Sequence, residues 1–189
     1  MCGRITFTLD KENFIQILRN TYGINDYDVD YDIPRYNIAP SQKVLSIIKS
    51  GNKFRAGTLI WGFIPNWAKG RPTTIINARG ETLAEKPMFQ NAYQTKRCII
   101  LADGFYEWKK ENAKKIPYYI TLKDRKLFSF AGLWNSYKEE NKNIYTCTII
   151  TTTPNDIMKP LHNRMPVILT AENEKLWLNP KITDFRLNK

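Results

Sequence analysis

Met1-Cys2-Gly3-Arg4 opens the chain, and it is the one place where a thiol sits next to the start. Met aminopeptidases remove Met when the following side chain is small, so Met1 is expected to be lost and Cys2 to present a thiol and a free α-amine on adjacent carbons. Their reference pKa values, roughly 7.7 to 8.0 for the amine and about 8.5 for the thiol, give both groups reactive fractions near neutrality. Such a pair suits aldehydes. The amine condenses to an imine, and the sulfur then closes a five-membered thiazolidine that outlasts a lysine Schiff base. Position alone would leave Cys2 an inert terminus, so the other polar residues of the chain decide whether that chemistry is used.

Several tracts place such residues at loop and strand ends, where a rigid scaffold carries function. They are Ile76-Asn77-Ala78-Arg79-Gly80-Glu81-Thr82, Ala102-Asp103-Gly104-Phe105-Tyr106-Glu107-Trp108 and Pro160-Leu161-His162-Asn163-Arg164-Met165-Pro166. His162 is the sole histidine, so any imidazole proton transfer falls to it. Glu107, among aromatic neighbours, is the candidate carboxyl acid or base. Taken singly, each has a plainer reading: a Glu beside Trp is commonly a hydrogen-bonded edge residue, and a lone His is commonly structural. Asn37-Ile38-Ala39-Pro40-Ser41-Gln42 reads as loop, and Trp61-Gly62-Phe63-Ile64-Pro65-Asn66-Trp67-Ala68 breaks a strand with indoles at both ends that are expected to be exposed.

The elements that position these groups read as short strands rich in β-branched and aromatic residues, with few helices. Strands are expected over 4–8, 43–48, 54–61, 97–101, 105–109, 118–122, 127–131, 144–150 and 167–169. The clearest helix runs over 10–22, with Phe14, Ile17, Leu18 and Tyr22 on one face, an Asp10 cap and a stop at Gly23. Shorter helices are expected over 83–93, 155–161 and 171–178. This pattern predicts an α+β fold, one domain over 1–189, with a mainly antiparallel, curved or barrel-like β core and a few peripheral helices.

With 189 residues the chain can bury a sizeable core without disulfides or metal, and 42% hydrophobic residues exclude a disordered chain. Cys2, Cys98 and Cys147 are an odd number without C-x-x-C spacing, so neither a disulfide framework nor a zinc site is expected, and Cys98 and Cys147 lie in strand-like apolar runs. Neither a signal-like segment nor a membrane-length apolar run is evident, so a cytoplasmic protein is expected. The net charge of +11 favours a polyanionic partner, nucleic acid first, although Lys109, Lys110, Lys114 and Lys115 read as a solvated hairpin edge or loop.

Cys2-Gly3-Arg4, Asn-Ile-Ala-Pro, Trp-Gly-Phe-Ile-Pro-x-Trp, Asn-Ala-Arg-x-Glu-Thr, Ala-Asp-Gly-Phe-Tyr-Glu-Trp and His-x-Arg-Met-Pro-Val-Ile-Leu stand in that order from Cys2 to Pro180. The set resembles the SOS response-associated peptidase (SRAP) family. That resemblance implies covalent shielding of abasic sites in single-stranded DNA through a thiazolidine on Cys2. Asn77 would position the amine or the sugar, and Glu107 and His162 would handle protons. It further implies Arg4, Arg79 and Arg164 as phosphate or site contacts and Pro40 and Trp67 as wedges against bases. No cofactor, metal or membrane is implied, and a monomer is expected. Leu101, Gln90, Gln94 and Asn163 depart from the usual pattern, where Pro, Arg and Asp are common. Two other classes remain open: an N-terminal-Cys peptidase, autoproteolytic in the removal of Met1, and a non-covalent reader of DNA or modified bases.

Overall fold

The computed structural model describes residues 2–25, 27, 31–68, 73–112 and 114–182. Met1, whose removal the sequence predicts, lies outside the described residues. Strands alternate with three helices in the order β1 (Arg4–Phe7), α1 (Lys11–Tyr22), β2 (Arg35–Ile38), β3 (Lys43–Ser50), β4 (Lys53–Trp61), β5 (Asn77–Arg79), α2 (Pro87–Thr95), β6 (Arg97–Ala102), β7 (Gly104–Glu111), β8 (Lys114–Ile120), β9 (Phe128–Glu139), β10 (Lys142–Thr152), β11 (Met165–Pro166), β12 (Ile168–Leu169) and α3 (Ala171–Trp177). A short 3₁₀ turn, Gly80–Thr82, follows β5.

Strand pairing closes a five-stranded barrel in the order β10-β4-β3-β6-β9, because β9 pairs back onto β10. All of its steps are antiparallel except β4–β10. The short β5 adds to β10 in parallel, and β11 and β12 extend the sheet at β10 and β9. A separate antiparallel sheet runs β2-β1-β7-β8. The expectation of an α+β fold with a barrel-like, mainly antiparallel core is met.

The elements form for local reasons that the core then reinforces. In α1 the Asp10 carboxylate accepts from the Asn13 N–H at 2.9 Å, and Gly23 closes the helix in the left-handed region. Its buried Phe14 meets Phe7 of β1 edge-on at 5.0 Å, which fastens the helix to the smaller sheet. Phe105 of β7 meets Phe130 of β9 at 5.8 Å and so joins that sheet to the barrel. Inside the ladder Gly132 is required: a Cβ there would meet Cys98 Sγ, Ile100 Cδ1 and the Thr148 carbonyl, each at 3.0 Å. Helix α3 docks through Trp177, whose indole N–H donates to the Cys98 carbonyl at 2.8 Å, and through Glu174, which accepts from Tyr22, Ser129 and Arg125.

Two expected elements differ. The stretch 155–161 forms successive turns rather than a helix: Asn155 Oδ1 accepts from the Met158 N–H at 3.0 Å, and Pro160 has no N–H with which to continue. The second helix begins at Pro87 rather than at Leu83, because Pro favours the first helical turn and the chain before it is already turned. Lys109 and Lys110 lie in β7 and Lys114 and Lys115 open the edge strand β8, in keeping with a solvated hairpin edge. Among the described residues, no helix is long and apolar enough to cross a membrane.

Candidate active site

Register places the first group. β1 runs antiparallel to β7 with Arg4 opposite Tyr106, so the chain entering β1 lies alongside the residues that follow Tyr106, the first of which is Glu107. Glu107 is 1% exposed, and Cys2 is fully buried. Burial, and next the negative charge of Glu107, push the Cys2 thiol far above its ordinary range. The sequence suggested an exposed aminothiol with a readily ionised sulfur. In the Met1-bearing chain the thiol is instead buried and held protonated, since a carboxylate beside it in a dry setting opposes a second negative charge.

Asn77 comes from the other sheet. β5 joins β10 with Asn77 opposite Ile149, and its side-chain Nδ2–H donates to the Cys2 carbonyl at 3.0 Å. That bond ties the first residues of the chain to the barrel across the seam between the sheets. Asn77 Oδ1 is buried and has no hydrogen-bond partner among the described residues. The structure thus brings Cys2, Asn77 and Glu107 together.

His162 belongs to the stretch between β10 and β11. It precedes β11, whose Pro166 and Met165 pair with Thr151 and Thr152 of β10, while Thr151 also lies opposite Arg79 of β5. The ring is half-buried, and its Nδ1 accepts from the Arg164 backbone N–H at 3.0 Å. β10 therefore pairs both with the strand that Asn77 opens and with the strand that follows His162.

The residues expected to touch DNA divide into groups. Arg79 is exposed at the end of β5. Half-buried Arg4 donates to the Gly3 carbonyl at 2.9 Å and so stays close to Cys2. Arg164 is already engaged: its two terminal nitrogens meet the two Glu81 oxygens at 2.8 Å each, and one of them also donates to the Thr151 carbonyl at 2.7 Å. Those hydrogen bonds hold the Glu81 carboxyl below its usual range. A phosphate reaching Arg164 would have to share or displace Glu81.

Pro40 and Trp67 sit on two turns anchored at the end of β4. The Pro40 turn is held by Ser41 N–H to the Trp61 carbonyl at 2.7 Å and by the Trp61 N–H to the Gln42 carbonyl at 2.9 Å. The Trp67 loop leaves β4 through Gly62, whose φ of 150° and approach to Thr74 leave no room for a Cβ. Beyond it, the Ile64 N–H donates to Thr146 Oγ1 at 3.1 Å, and the Ile64 carbonyl accepts from Asn135 Nδ2 at 2.9 Å. Trp67 is 65% exposed. Trp61, expected to be exposed as well, is buried and donates its indole N–H to the Ile76 carbonyl at 2.8 Å. Sequence alone could not separate the two indoles, because burial of Trp61 depends on a carbonyl fifteen residues away.

Sequence reasoning gave no role to Glu81, Asp103, Asn135 or Thr146. Buried Asp103 fixes the start of the chain after β1, accepting from Thr6 Oγ1 at 2.5 Å and Thr8 Oγ1 at 2.7 Å. Its tract was visible, but the hydroxyls it meets lie across the sheet. No group of three His, Cys, Asp or Glu suited to a metal occurs among the described residues.

Comparison with known proteins identifies relatives over nearly the whole chain. Over 190 residues the chain is 50% identical to abasic site processing protein YoqW of Bacillus subtilis, covering 97% of this chain and 83% of the relative. It is 32% identical over 186 residues to abasic site processing protein YedK of Escherichia coli, covering 97% and 82%. A crystal structure of a protein from Bacteroides thetaiotaomicron superposes with a TM-score of 0.84 at 29% identity, covering 97% of this chain and 83% of that one. Residues 1–188 match the SOS response associated peptidase family throughout, and the chain belongs to that family.

Proposed function

We propose that the protein captures abasic sites in single-stranded DNA as a covalent adduct on Cys2. The observation that carries this reading is the meeting of Cys2, Asn77 and Glu107 at the seam between the sheets, with the Asn77 amide bonded to the Cys2 carbonyl at 3.0 Å. The names of the relatives, abasic site processing proteins, and the charge of +11 support the same substrate.

An abasic deoxyribose is mostly a closed hemiacetal, so it must first open. Glu107 takes the proton of the C1′ hydroxyl and returns one to the ring oxygen as the bond from that oxygen to C1′ breaks, which frees the aldehyde. The Cys2 amine, freed by loss of Met1, adds to C1′, and water leaves to give the imine. The thiol sulfur then bonds to C1′ while its proton passes to the nitrogen, closing the thiazolidine without further loss of atoms. A thiol held protonated fits this order, because sulfur adds last and only with a base nearby to carry its proton. Asn77 orients the terminus, and His162 assists transfer at the opened sugar hydroxyl. Phosphates engage the basic surface, so affinity falls steeply with salt, and Pro40 and Trp67 part the neighbouring bases.

Cys2→Ala tests the chemistry. Its amine still forms an imine but cannot close the ring, so a denaturing gel should show little persistent adduct and more strand cleavage than with the wild-type protein. A Cys2→Ala adduct as persistent as the wild-type one would refute the thiazolidine. The family name also favours a peptidase reading, in which Cys2 frees its own amine by removing Met1. Retention of Met1 in Cys2→Ala, where Ala is small enough for Met aminopeptidase, would support that self-processing.

A further inference from the structure

Glu81 stands outside the reacting groups, yet it holds the residue that holds His162. Its two oxygens pair with both terminal nitrogens of Arg164 at 2.8 Å each, a two-point fork that fixes the guanidinium plane. The same guanidinium donates to the Thr151 carbonyl at 2.7 Å and lies 3.3 Å from Thr151 Oγ1. Thr151 Oγ1 in turn donates to the Ala78 carbonyl at 3.4 Å, so Arg164 is fastened to both β10 and β5. The Arg164 side chain is only 12% exposed and Glu81 46%, which puts the pair at the edge of the site with the cation turned inward.

The backbone of this anchored residue does the second part. The Arg164 N–H donates to His162 Nδ1 at 3.0 Å. An amide N–H can only donate, so Nδ1 must be the unprotonated nitrogen, and the neutral ring carries its proton on Nε2. β5 delivers Asn77 to Cys2, and the 3₁₀ turn that follows it delivers Glu81 to Arg164, so a single five-residue segment contacts both residues.

We propose that Glu81 is a positioning residue that fixes, through Arg164, the orientation and the Nε2–H tautomer of His162. This rests on the reading of His162 as the group that moves a proton at the opened sugar. It also makes Arg164 chiefly a brace for that ring, with phosphate contact left mainly to Arg79.

Because the chain has a single histidine, ring-¹⁵N labelling reports one imidazole. The wild-type protein should show the neutral Nε2–H pattern, whereas Glu81→Gln and Arg164→Lys should show mixed tautomers. Both variants should crosslink abasic single-stranded DNA more slowly, by up to about a hundredfold for a ring displaced by an ångström. In Glu81→Gln, affinity for the same DNA and the melting temperature should stay near wild type. A wild-type ring pattern and rate in Glu81→Gln would overturn the proposal. So would tighter DNA binding at an unchanged rate, which would make Glu81 a competitor of phosphate for Arg164. If the wild-type protein itself gives no adduct, the function above fails, while the ring pattern still decides whether Glu81 sets the tautomer.

Discussion

Cys2 is a protonated thiol in a dry corner, held so first by burial and next by the residue beside it, Glu107. Glu107 raises the thiol by its charge and, in the proposed mechanism, opens the sugar, so its replacement should move two readouts in opposite directions. In Glu107→Gln, alkylation of Cys2 by iodoacetamide should quicken modestly, since removing the carboxylate takes away the smaller of the two effects that raise the thiol while burial still holds it up. Adduct formation with abasic DNA should slow by about a hundredfold or more. If both rates fall together, Glu107 only packs the site. Cys2, Asn77 and Glu107 were singled out in the sequence because their tracts, each weak alone, stand together in the order the family resemblance requires. The burial of Cys2 was not legible, since it depends on packing against residues distant in the chain, such as Asn77 of the other sheet.

Elements were readable where their determinants are local. Helix α1 runs from its Asp10 cap to its Gly23 stop as expected, because both signals act within one turn. Strands β2, β5 and β11 were missed: they have at most four residues and exist only through partners such as β1 and β10. The pairing of β4 with β10, which makes a closed barrel of an open sheet, likewise has no signature within either strand. Barrel strands β6 and β10 carry Cys98 and Cys147, fully buried, and burial raises both thiols well above their ordinary range. The folded state therefore keeps protons that the unfolded chain releases above about pH 8.5, so this contribution to stability is complete below that value and lost above it. The loss is about 1.4 kcal/mol per pH unit for each thiol. The melting temperature should accordingly fall as pH rises from about 8.5 to 10, and less steeply in Cys98→Ala. An unchanged slope in that variant would show that Cys98 ionises in the folded protein.

At the scale of the molecule, two sheets meet along a seam where Cys2, just before β1, is bonded to Asn77 of β5. The exposed Trp67 and Arg79 and the Pro40 turn belong to loops and strand ends of that arrangement, and a net charge of +11 draws a polyanion toward it. Fold class could be read from composition and strand pattern, but the seam exists only once the sheets pack. The most direct measurement is the intact mass of the purified protein before and after incubation with abasic single-stranded DNA, followed by peptide mapping. The account predicts a chain lacking Met1 that gains the mass of the DNA less one water, with the adduct on Cys2. A protein that keeps Met1 and gains nothing, or an adduct mapped to a lysine, would contradict it.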